Sequence, residues 1–161
     1  MTKVMLSLHV LAAIVTVGSI TAAASMFPRY ALQASGGRDR GRGPDGRAAA
    51  IAGLLHRICR GYAAAGLAVP ALGVATGALL GVLTDVWLIA SLMLTVIAAA
   101  ILALAILPGQ QRLLALAEDA AAEGESRPAA ARLTMLTGVF NLLWAAVVVL
   151  MIVRPGSTTG A

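Results

Sequence analysis

Residues 86–107 read VWLIASLMLTVIAAAILALAIL, a run of 22 amino acids without a charged side chain. At about 1.5 Å per helical residue, such a run crosses the roughly 30 Å hydrocarbon core of a membrane. Three other runs, 4–26, 61–82 and 133–153, are similarly long and also lack Lys, Arg, Asp and Glu. The sequence therefore predicts an all-α, polytopic membrane protein with four transmembrane helices in an up-down bundle.

Composition leaves little room for anything else. The chain has 161 residues, 60% of them hydrophobic, and a mean hydropathy of +0.90, so we expect a single membrane domain spanning 1–161. The Gly- and Arg-rich segment 35–47 is predicted to be a mobile cytoplasmic loop, and 155–161 a disordered tail. Arg outnumbers Lys eleven to one and Ala is abundant, a bias typical of GC-rich genomes, which indicates a bacterial inner membrane.

The basic residues are distributed unevenly between the two sides of the predicted membrane. Ten of the twelve lie between spans one and two or between spans three and four, and only Lys3 and Arg154 lie on the opposite side. By the positive-inside rule both basic connectors are cytoplasmic, which predicts an N-out, C-out topology. Seven arginines in the first connector are expected to set this topology and contact lipid head groups: Arg29, Arg38, Arg40, Arg42, Arg47, Arg57 and Arg60.

Two alternative interpretations of these regions were weighed. A cleaved signal peptide would explain the first run, but here one Lys precedes 23 uncharged residues and the basic cluster follows them. An RNA-binding tail would explain the Arg-Gly segment, but Asp39 and Asp45 dilute its charge and no aromatic residue is interleaved for base stacking. We therefore expect the lipid bilayer, and no nucleic acid, as the partner of this region.

Helical patterning continues beyond two of the spans. From Ala48 it runs without a break to Val82, about 52 Å at standard rise, with a kink expected at Pro70. The stretch 110–122 is also amphipathic at helical spacing. We therefore predict cytoplasmic helical extensions of helices 2 and 3. Asp85, in the short outer turn between them, is expected to be the N-cap of the third helix.

Two features predict helix packing. Gly73, Gly77 and Gly81 are spaced four apart, so they share one helix face and allow close approach of another helix, either in this chain or in another subunit. Asn141, in the fourth span, is expected to form interhelical hydrogen bonds.

His9 is the most suggestive polar residue, because it lies about one and a half turns into the first span. It is either a neutral imidazole bonded to a neighbouring helix or a ligand of haem b, the one cofactor that the sequence leaves open. His56 is predicted to lie at a different depth and therefore not to share an iron with it. Cys59, the single cysteine, is expected to be an inert thiol. We find no catalytic or metal-binding motif and no deep carboxylate, so we predict neither an enzyme nor a metal site.

The segment Leu8-His9-Val10-Leu11-Ala12-Ala13, with Gly18 nine residues after His9 and then Phe27-Pro28-Arg29-Tyr30, resembles a family of uncharacterised four-helix bacterial membrane proteins, domain of unknown function 2269. That resemblance implies a four-helix membrane fold and no established activity. The Leu-His followed by Gly is also distantly similar to the copper-resistance D proteins and the membrane protoporphyrinogen oxidase. In those families His9 would be the matching functional position, but this chain lacks an intramembrane Lys.

Three hypotheses about function follow. The first is a non-enzymatic accessory or assembly subunit, in a homo-oligomer or a larger membrane complex. The second is a haem-binding redox or haem-handling protein that uses His9. The third is a small transporter, which has the least support because no charged residue marks a path through the membrane.

Overall fold

The computed structural model describes residues 2–35, 44–119 and 123–156. Within these ranges the chain is helical apart from short turns. The α-helices are α1 (Thr2–Ser35), α2 (Pro44–Ala65), α3 (Ala68–Leu80), α4 (Val86–Ile101), α5 (Leu107–Glu118) and α6 (Glu123–Val153), and a π-helical segment, Leu102–Ile106, joins α4 to α5.

Four helical stretches are long and apolar enough to cross a membrane: Lys3–Ser35, Gly46–Leu80, Val86–Glu118 and Gly124–Val153. The predicted number of spans is therefore confirmed, although each stretch is longer than the uncharged run that predicted it. The segment expected to be a loop over 35–47 is shorter than predicted, because Ser35 belongs to α1 and α2 begins at Pro44. Residues 36–43 of that loop and 157–161 of the predicted tail lie outside the described residues.

Helix α1 is the central member of the bundle. It packs along α2 and α3 on one side and along α6 on another, and it also contacts α5. Helix α6 in turn packs against α4 and α5, whereas α3 and α4 touch only near the turn that joins them. Two halves result, one built from α3, α4 and the ends of α1 and α6, the other from α2, α5 and the opposite ends of α1 and α6.

The centre of the bundle is built from small side chains with a few large ones between them. Phe27, Ile106, Leu113 and Phe140 are fully buried. The helices approach one another closely around these side chains, because alanines are buried at their contacts: Ala23, Ala24, Ala31, Ala52, Ala98 and Ala130. Small residues at helix contacts allow the van der Waals packing on which helix association in lipid depends.

The outer surface is strongly apolar. Val86, Leu104 and Ile152 expose 80%, 78% and 74% of their surface, and many other large hydrophobic side chains point outward. A soluble monomer rarely exposes contiguous apolar surface of this extent. In a bilayer the same side chains would contact acyl chains.

The second candidate span is distorted just before Pro70, where a kink was expected, although Leu67 keeps helical dihedral angles. Helix α2 ends at Ala65 and α3 begins at Ala68, so the continuous helix expected from Ala48 to Val82 is interrupted at Gly66 and Leu67. Pro70 has no N–H to donate to the Gly66 carbonyl, and its ring crowds that oxygen. The Val69 N–H donates to the Gly66 carbonyl instead, at 3.0 Å, which closes a tighter turn.

A second proline is associated with the π-helical segment. Pro108 has no N–H to donate to the carbonyl four residues before it. Just before Pro108 the helix has a wider, π-helical turn, in which the Leu107 N–H donates to the Leu102 carbonyl five residues back. The helix therefore continues past Pro108 into α5 without ending.

Candidate ligand cavity around His9

His9 lies on α1 and its ring is held by α3. Its Nδ1 is 2.9 Å from the Val69 carbonyl oxygen. A carbonyl only accepts, so Nδ1 carries the hydrogen and donates it. In the neutral imidazole, Nε2 then keeps a free lone pair.

Gly73 makes this position available. A Cβ atom built on Gly73 would lie 3.0 Å from Cε1 of His9 and 3.5 Å from its Nδ1. The ring therefore rests against the bare backbone of α3, one turn after the carbonyl that it binds. Gly73 and Val69 together fix the position and direction of the imidazole.

A cavity of about 460 Å³ that is open on one side lies between α1, α3, α4 and α6 at this end of the bundle, and we call it the His9 cavity. Some of its lining side chains, such as Ile14 and Ile152, are also exposed on the outer surface. Ligand pockets commonly have volumes of about 300–1,000 Å³. Its wall is largely aliphatic: Leu6, Val10, Ala13, Ile14, Val69, Pro70, Val74, Leu83, Leu88, Ile89, Leu92, Val147, Val148, Met151 and Ile152. Four lining side chains carry hydrogen-bonding groups, namely His9, Thr95, Trp144 and Arg154.

A smaller cavity of about 60 Å³ continues toward the middle of the bundle. It shares Thr95 and Trp144 with the His9 cavity and reaches Ile20, Leu102 and Phe140. The Trp144 ring packs edge-on against Phe140, with 6.3 Å between ring centroids. Its indole nitrogen is buried and has no hydrogen-bond partner among the described residues.

Arg154 lies at the rim of the His9 cavity and is the one charged side chain among its described lining residues. The guanidinium carbon of Arg154 lies 5.5 Å from the centroid of the Trp87 ring, within cation–π distance. The Trp87 indole N–H donates to Oδ2 of Asp85 at 3.0 Å. Asp85 does occupy the N-cap position of α4, as expected, but its carboxylate binds this indole instead of a backbone N–H.

Arg154 reaches this position through an unusual backbone conformation. Its φ of 44° lies in the left-handed region, which a non-glycine residue seldom adopts. The conformation directly follows the last residue of α6, Val153. It ends the helix at the rim, where the side chain lies across Trp87.

The three glycines predicted to share a packing face have three different environments. Gly73 receives the His9 ring, and a Cβ on Gly77 would lie 2.9 Å from Cδ2 of Leu88, so both close contacts are within this chain. Gly81 does not pack against anything within 4 Å. It is the C-cap of α3, with φ 69°, and its N–H donates to the Ala78 carbonyl. Gly81 therefore lies just beyond the end of α3, and its expected packing against another helix or subunit stays a prediction.

Asn141 lies where α6 crosses α1. Its Oδ1 accepts a hydrogen bond from the Thr21 hydroxyl at 3.0 Å. This contact joins residues 120 positions apart and fixes the register of the two helices about midway along the bundle.

A buried polar cluster lies in the other half of the bundle, and sequence reasoning missed it. His56 donates from Nδ1 to Oε1 of Gln110 at 2.9 Å, and Nε2 of Gln110 donates to the Cys59 sulfur at 3.5 Å. Gln110 and Cys59 are fully buried, and His56 nearly so. The available signal was the three-residue spacing of His56 and Cys59, which places both on one face of α2. His56 does not line the His9 cavity, so the two histidines are not brought together.

The arginines expected at lipid head groups are only partly described. Arg29, Arg47, Arg57 and Arg60 are exposed, at the end of α1 and along α2. Arg38, Arg40 and Arg42 lie outside the described residues. Arg112 forms an ion pair with Glu125, at 3.1 Å between exposed side chains. No group of three or more potential metal-binding side chains occurs among the described residues.

Comparison with known proteins found no matching family model, no similar curated protein and no similar solved structure.

Proposed function

We propose that this chain is a non-enzymatic integral membrane protein that binds a lipophilic ligand in the His9 cavity. The observation that carries the proposal is the combination of a ligand-sized apolar cavity with one imidazole fixed at its wall by Val69 and Gly73. Binding sites for small molecules typically combine an apolar lining with a few well-placed polar groups.

The proposal is tested by analysing what the purified protein retains. Protein extracted in mild detergent is expected to carry a lipophilic molecule at close to one equivalent, identified by mass spectrometry after solvent extraction. The cavity-filling variant Ala13→Phe should lose it, because Ala13 lines the cavity. The control Ala100→Phe places the same ring on an exposed face of α4 away from the cavity and should retain the ligand. Equal recovery from both variants would refute a ligand in this cavity.

Haem b is the alternative ligand, and the side chains present are compatible with it. Val69 occupies Nδ1 of His9, so Nε2 is the ring atom left for iron, and Arg154 at the rim would pair with a haem carboxylate. Bound haem would supply one-electron redox chemistry. The purified protein would then show a Soret band with reduced α and β bands, lost in His9→Ala. A featureless spectrum removes this alternative and leaves the lipophilic-ligand proposal standing.

An accessory or assembly role, in a homo-oligomer or a larger membrane complex, is the second candidate function. The contacts of Gly73 and Gly77 are made within the chain, so they do not favour it. A different observation does: Gly18 and Ala22 are exposed at four-residue spacing on α1, and open space surrounds Gly18. Gly18→Leu should then abolish co-purification of the partner or oligomer without lowering thermal stability, and unchanged co-purification would count against the role.

The orientation belongs to the same proposal. We place the chain in a bacterial inner membrane with both termini outside, and with α2 and α5 extending to the cytoplasmic side. The exposed arginines Arg29, Arg47, Arg57 and Arg60 support this through the positive-inside rule. The His9 cavity would then open near the outer surface.

A further inference from the structure

We propose that the ligand of the His9 cavity is an anionic amphiphile of the fatty-acid type, with its single apolar chain inside the cavity and its acidic head at Arg154. This inference rests on the proposed ligand-binding function and adds the chemical class of the ligand. It is carried by the position of one cation at the rim of a cavity whose wall is otherwise almost entirely aliphatic.

Arg154 is positioned as an anion site. Among the described residues no carboxylate lies within ion-pair distance of it, and the one acidic side chain near the rim, Asp85, is bonded to the indole of Trp87. The Arg154 side chain makes one long hydrogen bond, from Nε to the Met151 carbonyl at 3.4 Å. Its terminal guanidinium nitrogens therefore remain for a carboxylate, whose two oxygens match the planar fork of the guanidinium.

The guanidinium is also held in place before any ligand arrives. It lies over the Trp87 ring, and the left-handed conformation of its backbone directs the side chain to the rim. The Trp87 ring is in turn 5% exposed and fixed by its bond to Asp85. An arginine held in this way loses less side-chain entropy on binding than a freely moving one.

The interior selects an apolar chain. Among the described lining residues, Arg154 is the only one with a formal charge, and a polar chain would lose its hydrogen bonds to water without finding replacements in the aliphatic wall. The smaller cavity beyond Thr95 and Trp144 extends the same apolar path toward the middle of the bundle. A long acyl chain with one charged end therefore matches the shape and polarity of the site, and the surrounding membrane is a source of such molecules.

The experiment uses Trp144 as a reporter of the cavity. The chain has two tryptophans, so Trp87→Phe leaves Trp144 alone and keeps an aromatic ring under Arg154. Asp85→Asn is added to this background, so that no carboxylate released from the indole can pair with Arg154. This protein, stripped of bound lipid and placed in phosphatidylcholine nanodiscs, is titrated with stearic acid carrying a nitroxide near the chain end. The matched uncharged probe is the methyl ester of the same acid. Saturable quenching of Trp144 measures occupancy, and the cavity-filling change Ala13→Phe gives the non-specific background.

The acid is expected to bind about tenfold more tightly than the ester, as one charge-assisted hydrogen-bonded pair would give. Arg154→Gln should bring the affinity for the acid down to that of the ester. Lys3→Gln, which removes an exposed charge at the same end of the bundle, should leave the ratio unchanged. Equal saturable binding of acid and ester would overturn the anionic head while leaving ligand binding intact. No saturable quenching by either probe would overturn both proposals.

Discussion

The imidazole of His9 lies directly on the backbone of Gly73, where a Cβ atom would approach its Cε1 to 3.0 Å. The ring cannot move away freely, because Nδ1 is bonded to the Val69 carbonyl one turn earlier on α3. The glycine and the histidine therefore form one contact between α1 and α3, and this contact also forms part of the cavity wall.

Gly73→Ala is expected to destabilise the protein by about 1–3 kcal/mol, the usual range for overpacking a fitted contact. Thermal unfolding in detergent, followed by circular dichroism, measures this as a lower midpoint. Gly18→Ala is the matched control, because a Cβ at that position would meet nothing within 4 Å. The only expected effect of this substitution is the gain in helix propensity from glycine to alanine. An equal change of midpoint in the two variants would contradict the contact.

The hydrogen bond between Thr21 and Asn141 gives a prediction about coupling between α1 and α6. In a double-mutant cycle with Thr21→Val and Asn141→Leu, the two changes should couple by about 0.6 kcal/mol, the average for interhelical hydrogen bonds in membranes. Thr134→Val replaces Thr21→Val in the control cycle, because the Thr134 hydroxyl donates within α6 to the Ala130 carbonyl. If the coupling energy in the control cycle were as large as in the first cycle, the hydrogen bond between Thr21 and Asn141 would not be its cause.

The four spans were predictable because hydrophobicity is a local property, readable over about twenty residues at a time. The response of the helices to proline was only partly predictable. Pro70 was expected to kink the second span, and the helix is indeed distorted at Gly66 and Leu67 just before it. The π-helical segment Leu102–Ile106 ahead of Pro108 was not predicted. These outcomes depend on how neighbouring helices compensate for the missing hydrogen bond, which the local sequence does not contain.

The candidate site was predictable in its parts and not in its arrangement. His9 was singled out as either an imidazole bonded to a neighbouring helix or a haem ligand, and Gly73 as part of a packing face. The bond from His9 to another helix is observed, but nothing local indicated that its ring would lie on Gly73, 64 positions away. The C-cap position of Gly81 was not predicted, because a four-residue spacing does not reveal where a helix ends. Arg154 was assigned only to the outer side of the membrane, and its stacking on Trp87 at the rim of a cavity required the three-dimensional fold.

The proposed orientation predicts which positions are reached from outside the cell. In a Cys59→Ala background, Pro155→Cys at the exposed end of α6 should react with a membrane-impermeant maleimide added to intact cells. Arg47→Cys, exposed near the start of α2, should react only after the membrane is permeabilised. The reverse pattern would place both termini in the cytoplasm and contradict the positive-inside assignment.

The buried cluster of His56, Gln110 and Cys59 predicts a stability effect independent of the His9 cavity. Gln110→Leu removes the acceptor of the His56 Nδ1–H and leaves a buried donor unpaired, at a cost of about 1–3 kcal/mol. Loosening of this contact between α2 and α5 should also expose the single cysteine, so a small thiol reagent should label Cys59 faster in the folded protein.

Gln111→Leu is the matched control, because the neighbouring glutamine is exposed and makes no hydrogen bond of this kind. It should change neither the midpoint of unfolding nor the labelling rate. Cys59→Ser separates the two hydrogen bonds of Gln110, because it replaces the sulfur while leaving His56 paired. Suppose instead that Cys59 is labelled no faster in Gln110→Leu than in the unchanged protein. The Gln110 amide would then not be needed to hold α2 against α5, and packing by residues such as Leu113 would account for the burial of Cys59.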